Sequence, residues 1–317
     1  MAKKVVVTGS GGFIGSHLVK YLKKKGLFVI GVDLKMPKWS DSKADQFFIK
    51  DLRDYKNCLE VTKGVDEVYN LAADMGGMGF ITTENCRILR NNSLININTI
   101  EASKVNKVNR YFFSSSVCIY PIDKLAVEHP KPLTEADAFP ANPQEGYGWE
   151  KLVHEIRCKY YLKEHKLQTR IARFHNTYGP EGEYKGGREK APAALCRKVI
   201  MAKDGGEVEV WGDGKATRTF TYVDDLVKGI YLSTKSKYPG PVNLGNERQI
   251  SIEDFTKLII KVSGKNLKIK YVEGPQGVRG RAFDNSLARK RFNFTADIPL
   301  EVGVAKTYKW IERQING

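Results

Sequence analysis

The chain has 317 residues, enough for one large α/β unit or two domains, and its 41% hydrophobic and 28% charged residues are those of an ordinary globular protein. No apolar run approaches membrane-spanning length, no signal-peptide pattern opens the chain, and five cysteines without paired metal spacing point to free thiols in a reducing cytoplasm rather than to disulfides or a metal. The formal charge of +16 suits either nucleic acid or a doubly charged nucleotide-type substrate, but Lys and Arg are scattered without interleaved aromatics, the pattern of a solvated basic surface.

A first strand is predicted over 5–8, running directly into Gly9, Gly12 and Gly15, spaced three apart, with Phe13 and Ile14 opening a helix. The first glycine permits a tight turn, the second lets backbone approach a pyrophosphate, and the third lets helix pack on strand. The helix start adds free N–H groups and the positive end of its dipole. The next strand, 28–33, ends in Asp33, 18 residues beyond Gly15. An acid there accepts hydrogen bonds from the adenosine ribose and repels a 2′-phosphate, favouring NAD over NADP, with Lys35 as a mild contrary hint.

Further strands are expected over 47–50, 67–71, 111–114 and 168–174, with helices over 84–105 and 148–165. This alternation argues for a parallel sheet covered on both faces. The strand at 111–114 leads into Ser116, and Tyr147 and Lys151 then lie four apart at a helix start. Residues i and i+4 share a helix face, so the ammonium can lie near the phenol. A free tyrosine has a pKa of about 10, and a nearby cation lowers it toward working range. Ser116 could hydrogen-bond a substrate hydroxyl, which makes Ser, Tyr and Lys together a hydride-transfer site on an alcohol. Alone, Tyr-x-x-x-Lys is equally the pattern of a packed surface pair.

Beyond residue 174 the composition changes, and 176–190, rich in Gly, Pro and charge, reads as a loop. Helices follow over 191–201, 222–232, 251–262 (opened by a Ser251-x-x-Asp254 cap) and 300–315. Strands are expected over 208–211, 241–244 and 267–272, with a turn at Asp213-Gly214. The expected architecture is α/β: a doubly wound parallel Rossmann sheet with a smaller α/β C-terminal substrate domain. The NAD-binding unit takes 1–176 plus about 222–245, and the substrate unit 177–221 plus 246–317.

Six segments carry a resemblance: 72–80 with Met75-Gly76-Gly77-Met78, 116–121, 173–180, 185–192 with Gly186-Gly187-Arg188-Glu189-Lys190-Ala191-Pro192, 211–214 and 277–281. Through them nearly the whole chain resembles the extended short-chain dehydrogenase/reductase family of NAD-dependent nucleotide-sugar epimerases. The resemblance implies tightly held NAD, a GDP-hexose substrate such as GDP-mannose inverted at C3 and C5, and a homodimer paired through the helices near 84–105 and 148–165. Matching segments imply that Asp51 bonds the adenine and that Gly76 lets the sugar approach backbone. They place Val117, Asn176, Glu189, Lys190, Lys198, Ala216 and Thr217 around the sugar nucleotide, with Arg218 and Arg281 clamping its diphosphate.

The residues make chemical sense in that role. An unactivated sugar C–H is barely acidic, whereas a ketone at C4 acidifies the protons at C3 and C5. Inversion then needs two acid/base groups on opposite faces. Cys118, two residues past Ser116, and Lys190 are the candidates. A thiol pKa near 8.5 needs to fall by only about one unit to ionise substantially at neutral pH. Sugar-nucleotide dehydratases of the same family carry Glu where Cys118 stands, so the Val117-Cys118 pair counts against dehydration. Cys58, Cys86, Cys158 and Cys196 read as core thiols, His175 as structural, His17 as a surface residue, and no metal is expected. Two alternatives remain at this point: a sister nucleotide-sugar epimerase or dehydratase with another substrate, and a catalytically idle relative that binds nucleic acid.

Overall fold

Runs of β-branched and aromatic residues buried on both faces build the central sheet, as a parallel sheet between two helical layers requires. The computed structural model describes residues 2–274 and 277–317. The first half contains β1 (Lys4–Thr8), α1 (Phe13–Lys24), β2 (Phe28–Asp33), β3 (Gln46–Ile49), α2 (Tyr55–Thr62), β4 (Glu67–Asn70), α3 (Met78–Thr83), α4 (Asn85–Val105), β5 (Arg110–Ser116) and α5 (Glu145–His165). The second half contains β6 (Gln168–Phe174), β7 (Asn176–Tyr178), α6 (Ala191–Met201), β8 (Glu207–Trp211), β9 (Thr217–Tyr222), α7 (Val223–Lys235), β10 (Val242–Leu244), β11 (Gln249–Ser251), α8 (Ile252–Ser263), β12 (Lys268–Val272), α9 (Ser286–Phe292) and α10 (Leu300–Asn316).

Seven strands form one all-parallel sheet in the order β10-β6-β5-β4-β1-β2-β3. One face packs α1, α7 and α9 through a core including Leu18, Leu22, Leu226, Ile230 and Phe294. The other packs α2, α4 and α5 through Cys58, Val61, Ile100 and Cys158. Strand order reverses between β1 and β4, and the carboxyl ends there open the crevice where doubly wound sheets bind ligands.

A separate core, with Leu195, Val199, Phe220, Phe255 and Tyr308, joins α6, α8 and α10 to two small sheets, β11-β9-β7 and β12-β8. Ala288 and Phe294 belong instead to the large sheet's core, so α9 returns across the chain. Several elements differ from expectation. The loop expected over 176–190 begins with β7, paired in parallel with β9 from Asn176↔Phe220 onward. β9, β11, α3 and α9 were not anticipated: the short strands exist only through partners far along the chain, such as Gln249↔Thr219.

Candidate active site

The crevice at β1 and β4 has the shape of a dinucleotide cradle. Gly9 turns in the left-handed region (φ +69), and a Cβ at Gly15 would lie 2.1 Å from the Gly9 carbonyl oxygen. A Cβ at Gly11 would lie 2.1 Å from the Lys35 carbonyl, so a fourth glycine is also required. α1 starts at Gly12 without any side-chain cap, leaving the first-turn amides around Phe13, Ile14 and Gly15 free for an anion. These features fit a pyrophosphate. Asp33 ends β2, accepting from Gly11 N (2.9 Å) and Leu34 N (2.6 Å), and burial holds its carboxyl above the usual range against those bonds. Asp51 is half-exposed and paired with Arg53 at 2.6 Å, which holds its carboxyl below the usual range.

Ser116 closes β5, and its Oγ accepts from Cys118 N (3.1 Å), starting a short helical turn over Val117–Ile119. Gln144 N donates to the Cys118 carbonyl (3.0 Å), and a Cβ at Gly148 would meet that carbonyl at 2.3 Å. Only glycine lets α5 pass so close beneath the turn. Tyr147 and Lys151 project from α5, both buried; the Lys151 Nζ, 1% exposed as a residue, sits 5.6 Å from the Tyr147 ring centre and 4.8 Å from Phe113. Burial pushes the Tyr147 phenol up, with the Cys118 and Glu150 charges adding and Ser116 opposing. Burial likewise lowers the Lys151 ammonium, against the pull of Glu150 and Cys118. Within the protein alone, burial thus outweighs the neighbouring lysine, and the tyrosine lies above rather than below its ordinary value.

Cys118 is half-buried, and a positive field surrounds it. Burial would raise its thiol, but the Arg281 charge, the Ser116 and Arg281 hydrogen bonds and the Lys190 charge outweigh burial and hold it below its ordinary value. The Arg281 Nη atoms stand 3.6 and 3.7 Å from Sγ. Arg281 is 4% exposed and also donates to Gln144 Oε1 at 2.7 Å. Arg218, on β9, is pushed down to about 9 by burial and by Arg281. Among the described residues neither Arg218, half-buried, nor Arg281, buried, pairs with a carboxylate, which leaves both guanidiniums available to an anion. Lys190 sits at the cap of α6 and is lowered by burial, with Cys118 raising it and Arg281 adding to the fall. Cys118, Lys190, Arg218 and Arg281 thus form one electrostatic group, with the Arg281 guanidinium reaching the thiol.

Other expected residues have local partners. At Gly76 an added Cβ would meet the Phe80 Cβ at 2.8 Å, so Phe80 packing also demands a glycine there. Glu189 accepts from Gly187 N (2.7 Å) and Arg197 (3.3 Å). Lys198 donates to the Glu209 carbonyl at 2.9 Å, beside Trp211. Thr217 bonds the Glu128 carbonyl and Gln249, and Ala216 O accepts from Ile252 N. Val117 is buried and packs with Ile119 and Tyr120, while Asn176 opens β7 half-buried. His175 is buried, bonded to Asn246 O and Thr219, and pushed down to about 3 by burial. His17 is not free on the surface: its Nε2 meets the Pro180 carbonyl at 3.0 Å. Cys58, Cys158 and Cys196 are core thiols, but Cys86 is exposed because it lies on the solvent side of the first turn of α4.

Sequence reading missed three supporting groups. Gln144 ties Arg281 to the Cys118 turn. Glu150, buried beside Lys151, accepts from Asn96 Nδ2, which in turn bonds Asn70 and so Thr8 at the end of β1. Arg173 and Glu155 form a buried pair at 2.7 Å; Ser115 bonds Glu155, and Tyr120 bonds Arg173 and Asn243. The neighbouring Pro143-Gln144 and Trp149-Glu150 positions were visible, but nothing in their spacing marked them.

Residues 5–245 match the model of the NAD dependent epimerase/dehydratase family. GDP-mannose 3,5-epimerase of Arabidopsis thaliana is 46% identical over 314 residues, covering 98% of this chain and 83% of the relative. UDP-glucuronic acid decarboxylase 1 of Xenopus tropicalis is 27% identical, covering 99% of this chain and 73% of the relative. The crystal structure of UDP-glucose 4-epimerase from Thermotoga maritima with UDP-glucose superimposes with a TM-score of 0.87 at 25% identity, covering 99% of this chain and 100% of that one.

Proposed function

Since the chain belongs to the NAD-dependent epimerase/dehydratase family, we propose that it inverts GDP-mannose at C3 and C5 through a transient 4-keto sugar, without net redox change. The products are GDP-L-galactose and, from inversion at C5 alone, GDP-L-gulose. Relatives of 45–46% identity that bear the 3,5-epimerase name support the substrate. The observation that carries the chemistry is the Cys118 thiol, held below its ordinary pKa with a guanidinium 3.6 Å away. A dehydratase needs a carboxylic acid there to protonate a departing hydroxyl; a thiolate instead suits removal of a carbon-bound proton.

NAD, which the Gly9–Gly15 turn and the uncapped start of α1 would hold with Asp33 beside it, would supply a reversible hydride acceptor for C4. Tyr147 accepts the C4 hydroxyl proton, Ser116 holds that oxygen, and Lys151 stabilises the phenolate. The carbonyl then acidifies C3 and C5. Cys118 draws a proton from one face, and Lys190 supplies one to the other. Arg218 and Arg281 hold the diphosphate, whose charge suits two guanidiniums with no carboxylate of their own. We assign the cofactor to 1–176 plus about 222–245 and the sugar nucleotide to 177–221 plus 246–317, with α9 packed on the former.

We also read the chain as a homodimer. Leu94 and Ile97 on α4 and Trp149, Val153 and Ile156 on α5 are exposed, Trp149 by 45% and Val153 by 48%. Two adjacent helices with outward apolar side chains would bury them against the same pair in a second copy. Trp149→Glu with Val153→Glu should halve the apparent mass in size-exclusion chromatography; an unchanged dimer would move the interface elsewhere. Five cysteines without a disulfide fit the reducing cytoplasm.

The direct test is mass-resolved product analysis from GDP-mannose without added cofactor. Equal-mass products with inverted C3 and C5 are expected. A product lighter by one water, or inverted only at C4, would assign the chain to a sister activity.

A further inference from the structure

The two segments most particular to this chain, 72–80 and 185–192, are fastened to each other. Asp74 is fixed on α4: its Oδ2 accepts from Arg87 (2.8 Å) and Asn91 (2.9 Å), and its N donates to Asn92 (2.7 Å). Its other oxygen accepts from Arg188 at 3.3 Å. The Arg188 guanidinium also lies over the Phe80 ring, 4.1 Å from its centre. Gly77 fits so tightly under this strand of chain that a Cβ would stand 2.6 Å from the Glu189 carbonyl oxygen.

The strap is anchored upstream as well. Pro180 O meets His17, Glu181 pairs with Lys20 at 2.6 Å, and Glu183 pairs with Lys38 at 3.0 Å. Between the two anchorages lie Gly186 (φ +97) and Gly187 (φ +85), with nothing within 4 Å of an added Cβ. Two left-handed glycines in open space give a joint that no packing fixes. Whatever seats the strap beyond that joint therefore sets where Lys190 lies: Glu189 is tied to Gly187 N and to Arg197 of α6, while Arg188 and the Gly77 contact fasten the strap to the 72–80 segment. The Arg188 side chain is 43% exposed, and an exposed ion pair adds little to fold stability, so its effect is on placement.

We propose that Arg188 is a positioning residue: held between Asp74 and Phe80, it seats the strap so that the Lys190 ammonium faces the sugar. The proposal rests on the acid/base reading of Lys190 above. Loss of Arg188 leaves Tyr147, Ser116 and Lys151 untouched, so the C4 ketone still forms, but return of a proton from the Lys190 side slows.

The test uses the holoenzyme with GDP-mannose in deuterated water, reading label at C3 and C5, reduced nicotinamide absorbance and the kcat and KM for inversion. Arg188→Ala should lower kcat and labelling by about tenfold or more, with a small change in KM, an unchanged melting temperature and more reduced nicotinamide at steady state. Arg188→Lys, which keeps the charge, should recover part of the rate. Gly77→Ala, which pushes the strap from its other side, should reproduce the Arg188→Ala pattern. Wild-type labelling in Arg188→Ala would overturn the proposal. So would an equal loss of C4 oxidation and labelling, since that is a general structural defect. If the wild-type enzyme itself labels neither carbon, the epimerase reading fails first and the role of Arg188 falls with it.

Discussion

Replacing Cys118 by alanine should abolish exchange of the C3 and C5 hydrogens with solvent while C4 oxidation continues. Removing a general base typically costs about a hundred- to ten-thousandfold. Arg281, Arg218 and Lys190, which surround the thiol, are all cationic and favour its ionised form. Cys118→Ser keeps the shape but offers a hydroxyl that does not ionise near neutral pH, so it should resemble alanine. Bound NAD should still become partly reduced on adding GDP-mannose in both variants. Label entering C3 and C5 of Cys118→Ala at the wild-type rate would remove the thiol from the chemistry. The pH profile has a definite sign. Exchange falls below the Cys118 pKa, because the base becomes protonated, and falls again above the Lys190 pKa, because the acid is lost. Both groups lie below their ordinary values, so the active window sits lower than free cysteine and lysine would place it.

Tyr147→Phe should stop every step, with a loss of about a thousandfold or more in turnover. Without the phenol no group takes the C4 hydroxyl proton, so no ketone forms and neither C3 nor C5 becomes acidic. The two variants therefore separate cleanly: Cys118→Ala keeps cofactor reduction and loses labelling, whereas Tyr147→Phe loses both. Burial raises the Tyr147 phenol in the protein itself, and the positive nicotinamide of bound NAD would act in the opposite direction. Substantial reduced nicotinamide in Tyr147→Phe would mean that another base serves C4.

The sheet was legible because its strands are continuous apolar runs bounded by turn residues, and β2 and β6 have the predicted limits. The glycine cradle was legible because steric demand at Gly9 and Gly15 leaves no other residue. Elements whose existence depends on distant pairing were not. β7 and β9 are short and polar enough to read as loop until they lie beside each other. The same limit applies within the site. The family resemblance and the chemistry it implies picked out Cys118 and Lys190, but not that Arg281 would touch the thiol, nor that Gln144 would hold Arg281. The Arg53 grip on Asp51, two residues away, was likewise invisible in the matching segment that suggested the adenine role.

The guanidinium beside the Cys118 sulfur comes from 163 positions further along the chain. During synthesis the cysteine therefore emerges long before the group that activates it. The positive field around this sulfur is therefore complete only once the segment carrying Arg281 has docked, so a chain that ends before residue 281 folds, if at all, without the guanidinium that favours the thiolate.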